Sequence, residues 1–324
     1  MYKIEIRTPN LLIGSFTGSQ IQKSVYQLAN CAVFIAQNKE FEDLKTIKQA
    51  LKKDLDVQVQ IDGETVLSGY IAAVDSGYFN KKPSLQVKIN TYAGRMVGAS
   101  IGKNIFFTAQ SAAEIVKQVI SGFDVKFINQ SQSNIVLPYY ALSATDKVED
   151  VLTDLARLSD TLIYSADDGS LIMADKCRDK YTSSALITGE NIIDIFKNDN
   201  LYQAFSDVVL HSQLPLNDDV SLDKIIDSQQ AGTSAGSKRQ MHKTVNIANS
   251  ARLAAEIAEL EYDCYDLQVV GSSFRTTDDR FYAINTALKV KDNWLELNDS
   301  FLITDFSLSS NAAGCRACLN LEKM

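Results

Sequence analysis

VEDVLTDLARLSDTLIYSADDGSLIMAD, Val148–Asp175, passes from the apolar period of a helix to that of a hairpin. Val148, Val151, Leu152, Leu155 and Leu158 recur at three- and four-residue spacing, which lays them along one helical face. Asp146 and Glu149, ahead of that stripe, stand at the spacing of a capping box. TLIYSADDGSLIMAD then sets the turn residues Asp168-Gly169 between two apolar runs. A helix feeding a short hairpin is an α+β unit. SAAEIVKQVISG, Ser111–Gly122, repeats the helix design: Ser111 and Glu114 form a box, Ile115, Val116, Val119 and Ile120 form the stripe, and Gly122 closes it.

On either side of this unit the chain turns to strands. VQVQI (Val57–Ile61) alternates and runs into Asp62-Gly63, a tight hairpin signal. VLSGYIAAV and SLQVKI follow, with DSGYFNKKP between them reading as a loop. FEDLKTIKQALKKDL (Phe41–Leu55) reads equally as a short helix or a polar connection. Beyond Phe205, FSDVVLHSQ is again a strand. The polar LNDDVSLDKIIDSQQAGTSAGSKRQ reads as a mobile loop, and SARLAAEIAELEYD as a helix. DLQVVGSSF, RFYAINTALKV, SFLITDFSLSS and CRACLNL complete the chain as four β segments.

The two β regions echo each other. VQVQIDG, LSGYIAAVD and SLQVKI near the start run parallel to LKVKD, LITDFSLSS and CRACLNL at the end. Either two β-meanders coincide by chance or two related barrels lie in one chain. The expected fold is multidomain α+β, with two related small β-barrels flanking an α+β middle region. Residues 1–98 form the first barrel, 99–200 the middle domain, and 201–324 the second barrel with a loop-helix insertion at about 215–266.

Composition excludes several functions. A chain of 324 residues, 45% apolar and 22% charged, is an ordinary globular protein with more than one core. Its net charge of −8 argues against a dedicated nucleic-acid binder, which needs lysine and arginine for phosphates. No apolar run reaches the length of a membrane span; CAVFIA (Cys31–Ala36) is a core strand by length. MYKIEIRTP alternates charged and apolar residues, from which synthesis without Sec export is expected.

The five cysteines, Cys31, Cys177, Cys264, Cys315 and Cys318, are odd in number and scattered, which suits reduced thiols in a cytoplasmic setting. Cys315-Arg316-Ala317-Cys318 has redox-motif spacing but lies in an alternating strand. There the two thiols face opposite ways about 10 Å apart, beyond the roughly 7 Å that a disulfide tolerates between Cα atoms. Zinc would need two more ligands, and neither His211 nor His242 stands at usable spacing. AGTSAGSKRQ (Ala231–Gln240) has three residues between its glycines and Ser237 before Lys238, so it is not a phosphate loop. No catalytic, cofactor-binding or metal-binding residue is assigned, and no enzyme activity is expected.

Trp294 is the single tryptophan. It follows Asp292-Asn293, which favour a turn, and Leu295 and Leu297 flank it on a charged connection. Two readings stand: an anchor for an intersubunit or partner contact, or a lid over the end of its own barrel. Trp294 and Leu295 are therefore the interface candidates.

Four stretches give the chain a resemblance to the baseplate hub (late tail) proteins of Mu-like contractile-tailed phages. TYAGRMV holds the Gly94-Arg95 pair that ends the family's first barrel. VEDVLTDLARLSDTLIYSADDGSLIMAD is similar to its glutamate-led helix and D-G hairpin. AFSDVVLHSQ, with Ser206 and Gln213, looks like the strand entering its second barrel. RFYAINTALKVKD matches its aromatic-x-x-Asn-x-x-x-x-Val-x-Asp pattern through Tyr282, Asn285, Val290 and Asp292. Tyr282 stands where the family usually carries tryptophan, so Trp294 is not the family's aromatic.

The resemblance implies a cofactor-free structural role. Such hubs are homotrimers whose paired barrels make a pseudo-sixfold ring between the sixfold tail tube and the threefold spike. The implied partners are other copies of the chain, the tail spike protein, and the tail tube or neighbouring baseplate proteins. The implied location is the virion tail baseplate, after synthesis in the host cytoplasm. Three chains at −8 each would carry −24, an acidic lumen through which DNA passes without sticking. The alternatives are a hub or spike-type component of a contractile secretion or injection machine, and a cell-wall-binding or hydrolytic tail module. The first would favour a fused repetitive β-helix; the second, a carboxylate pair in a cleft or clustered exposed aromatics. None is evident in the sequence.

Overall fold

Strict alternation builds the first strands. In Cys31–Gln37 every second side chain, Ala32, Phe34 and Ala36, is fully buried. The computed structural model describes residues 3–14, 16–37, 41–79, 81–177, 179–198, 207–212, 226–231, 240–245, 266–271, 275–276, 280–312 and 314–324. Contacts divide the chain into two compact units, residues 1–195 with 269–322 and residues 196–268.

The first unit opens with β1 (Ile4–Arg7), β2 (Leu12–Ile13), β3 (Gly18–Ser24) and β4 (Cys31–Gln37). Helix α1 (Phe41–Ala50) settles the FEDLKTIKQA stretch as helical and buries Leu44. A meander of β5 (Asp56–Ile61), β6 (Glu64–Phe79) and β7 (Lys82–Thr91) follows. Asp62 (φ 51°) and Gly63 (φ 87°) take the left-handed conformations of a two-residue hairpin turn. DSGYFNKKP is not a loop. Asp75–Phe79 pair with Lys82–Gln86, since the ladder uses main-chain groups and Asp75–Tyr78 are exposed.

The middle of the chain pairs β8 (Ile105–Ser111) with β10 (Val136–Leu142), and runs β9 (Phe127–Asn129) parallel to β12 (Leu171–Ala174), which pairs β11 (Leu162–Ser165). Helices α2 (Ala112–Val119) and α3 (Val148–Ser159) pack their stripes on these strands around Met96, Phe107, Ile115, Val116, Leu152 and Leu155. The Ser111–Glu114 capping box is present, with Ser111 N donating to the carboxylate at 2.9 Å and Glu114 N to Ser111 Oγ at 3.3 Å. The expected Asp146–Glu149 box is not. Helix α3 is capped at Lys147 without a side-chain bond, because Asp146 accepts from Ser143 N at 2.7 Å in the preceding turn.

Strand β13 (Asp179–Ile187) follows, and the chain leaves the unit in β14 (Ile192–Asn198). The second unit contains β15 (Asp207–Ser212), antiparallel to β16 (Ile226–Ala231) and parallel to β17 (Gln240–Val245). Part of the polar stretch expected as a loop is thus a strand, again held by main-chain pairing. The expected helix at Ser250–Asp263, Cys264 and the Gly232–Gly236 stretch lie outside the described residues. The chain re-enters the first unit in β18 (Asp266–Gly271) and ends in a second meander, β19 (Thr286–Asp292), β20 (Leu297–Asn311) and β21 (Gly314–Lys323).

The sequence echo has a geometric counterpart. Each meander is a short strand, a long strand of 16 or 15 residues, and a strand of 10 residues. No closed barrel occurs among the described residues. Strand β19 covers Leu297–Leu302 of β20, and β3 pairs with Asp305–Ser310 of the same strand. Strand β3 continues through β4 to β7, so both meanders belong to one mostly antiparallel sheet. The first and last meanders are therefore joined by pairing.

Candidate assembly interface

A buried polar junction ties the middle region to the sheet. Asn30 donates through Nδ2 to the Ser165 carbonyl at 2.8 Å, and its main-chain N–H to Thr91 Oγ1 at 3.1 Å. Thr91 donates to Ser165 Oγ at 2.9 Å, and Ser165 to the Leu28 carbonyl at 2.8 Å, so each hydroxyl is satisfied. Beside it Lys23, 3% exposed, pairs with Asp167 of the β11–β12 turn at 2.5 Å. Gly169 of that turn has φ +83°, and a Cβ there would meet Tyr92 at 2.6 Å and the Ser68 carbonyl at 2.8 Å. The D-G dipeptide is thus required by close packing as well as by turn geometry.

The described residues that carry the resemblance make close packing or buried polar contacts. At Gly94 a Cβ would lie 2.9 Å from Asn90 Cβ. Arg95 reaches Asp54 at 2.7 Å and stacks 4.7 Å over the Tyr70 ring. Tyr282 and Val290 are buried. Asn285, at φ +59° and buried, accepts from Cys177 N at 2.8 Å and donates to the Asp175 carbonyl at 2.9 Å, closing β19 onto the chain beyond β12. Ser206 and Gln213 lie outside the described residues.

Asp292 ends β19 and organises the turn that follows. Its buried carboxylate accepts from Thr188 Oγ1 at 2.5 Å and from Leu295 N at 2.6 Å; these bonds hold it below the ordinary carboxylate range. Residues 293–296 close the hairpin, with Glu296 at φ +53°. Trp294 stands at the tip, 90% exposed, and Leu295 is half-buried. Within its own unit the indole covers no core. Its position relative to the first meander follows from pairing. Steps from β20 through β3, β4 and β7 to β6 are all antiparallel and even in number, so β6 and β20 run the same way. The turns entering them, at 62–63 and 293–296, therefore lie at the same end of the sheet.

Sequence reasoning singled out Trp294 and Leu295 but missed an exposed aromatic pair elsewhere. Phe106, 66% exposed, and Tyr139 stack at 6.2 Å on the outer face of β8–β10. Only the cross-strand register brings them together. Cys315 and Cys318 lie at opposite parities of β21, where Ala317, Leu319 and Leu321 are buried, and neither forms a disulfide. Among the described residues no group of three or more His, Cys, Asp or Glu could hold a metal ion. No helix among them is long and apolar enough to cross a membrane.

The chain is thus a sheet of two like meanders with an α+β insertion, a buried polar junction, and an exposed tryptophan on the turn into the second meander. Comparison with solved structures shows that the fold is shared with prophage tail proteins. The 43 kDa tail protein of prophage MuSo2 from Shewanella oneidensis superposes with a TM-score of 0.82 at 19% identity, over 99% of this chain and 98% of that one. The tail protein from Neisseria meningitidis MC58 gives 0.82 at 16%, over 99% and 96%. The E. coli c3393 protein, a type VI secretion system component with structural similarity to the T4 tail proteins gp27 and gp5, gives 0.62 at 10%, over 99% and 77%. No family model and no curated protein sequence matches the chain.

Proposed function

We propose that the chain is a structural, non-enzymatic component of a phage or prophage contractile tail baseplate, a homotrimeric hub between the tail tube and the central spike. The observation that carries this is the repeated meander within a fold shared with prophage tail proteins over nearly the whole of both chains. Two like halves in each of three subunits present six similar surfaces to a sixfold tube and three identical ones to a spike. The two halves would serve as the barrel-like sectors of that ring. The net charge of −8 per chain keeps a ring lumen from retaining DNA. The spike and the tube or neighbouring baseplate proteins are the partners, and the virion baseplate is the location. The higher TM-scores to prophage tail proteins than to the secretion component favour a phage tail. Static light scattering tests the reading. The expected mass is three times the 35.8 kDa of one chain at micromolar concentration. A stable dimer with twofold symmetry would sink it.

A further inference from the structure

The two meanders differ most sharply where they are entered. The first has a two-residue turn, Asp62-Gly63, with no large apolar side chain; the second has the four-residue Asn293–Glu296 turn with Trp294 at its tip. Both turns lie at the same end of the sheet. In a trimeric ring, whatever the meanders share occurs six times, and whatever only one carries occurs three times. The indole is therefore a threefold mark on a rim that is otherwise close to sixfold. A sixfold partner would meet it at only alternate positions and leave its other three sockets empty. Side-by-side subunits meet along the faces and edges of their sheets, whereas this turn projects past the last strand pair, Asp292 with Leu297.

Resting on the trimeric-hub reading, we infer that the Trp294 turn is the docking element for the threefold spike, and that it contacts neither the tube nor a neighbouring copy of this chain. The indole and half-buried Leu295 form the apolar centre, and Asp292 is a positioning residue that fixes the turn through Thr188 and the Leu295 N–H. On the turn and the two strand ends that carry it, exposed Glu296 and Asp299 outnumber exposed Lys291. The matching surface is an apolar socket with a basic rim, one per spike subunit.

Because Trp294 is the single tryptophan, the fluorescence of the free hub reports on this site alone. In the assembled wild-type trimer, acrylamide should quench it as readily as a hydrated indole. A shielded indole in that trimer would place Trp294 between subunits and overturn the inference while leaving the hub reading intact. Trp294→Ala should stay trimeric by light scattering and bind the purified spike trimer of the same tail at least about thirtyfold more weakly, the factor for a single hot spot and hence a lower bound when all three subunits lose theirs. Unchanged spike binding overturns the docking role but not the hub. A wild-type chain that forms a twofold dimer overturns both.

Discussion

At the scale of single residues, the telling positions are polar and buried. Asn285 takes a left-handed φ of +59° and satisfies the main-chain N–H of Cys177 and the carbonyl of Asp175. Asparagine tolerates that conformation and supplies a donor and an acceptor at once. Asn285→Ala keeps the strained backbone and orphans both groups, so it should cost about 2–4 kcal/mol, read as a lower urea midpoint at unchanged slope. A shift near zero would mean that water replaces the amide without loss. The sequence pattern marked Asn285 but not its partners, since Asp175 and Cys177 lie more than a hundred positions away. Asn30, Thr91 and Ser165 carried no signal at all, because each is an ordinary strand-end or turn residue until the fold brings them together.

Among elements, the β11–β12 hairpin shows how a local signal acquires a tertiary reason. Asp168-Gly169 was legible as a turn, and Asp168 duly accepts from Ser170 N at 2.9 Å. That the same glycine abuts Tyr92 and Ser68, and that Asp167 neutralises buried Lys23, depends on docking against the sheet. Gly169→Ala should therefore lower the melting temperature more than Gly189→Ala, where φ is +87° but nothing lies within 4 Å of the added Cβ. The backbone cost is common to both, about 1 kcal/mol; the excess at Gly169, about 1–3 kcal/mol, is the clash. Equal shifts would show that the hairpin moves aside freely. The capping boxes make a related point: Ser111–Glu114 formed, while Asp146 was captured by the turn before its helix.

For the whole molecule, the shared sheet has an energetic consequence. Strands β3 and β4 bridge the two meanders, so neither can lose its pairing without exposing the core of the other. Residues 1–195 and 269–322 should unfold in one cooperative step. Hydrogen exchange under mild denaturant provides the check: amides of β6–β7 and β19–β20 should open with the same free energy and the same denaturant dependence. Separate openings of the first and last strand regions would show that the two meanders are independently stable.

The sequence alone determined the elements whose cause is local: two amphipathic helices, the D-G turns, the alternating strands, and the internal echo of two meanders. It also marked Trp294 as a solitary aromatic on a turn and placed the two C-x-x-C thiols on opposite faces of a strand. Tertiary structure alone decided that the meanders share one sheet, since strand order depends on pairing between segments far apart in the chain. It likewise decided that polar stretches such as Asp75–Phe79 are strands, because main-chain ladders need no apolar side chain. And it decided that Trp294 stands in solvent at the same end of the sheet as its counterpart turn, a position set by the register of five strands and written in none of them.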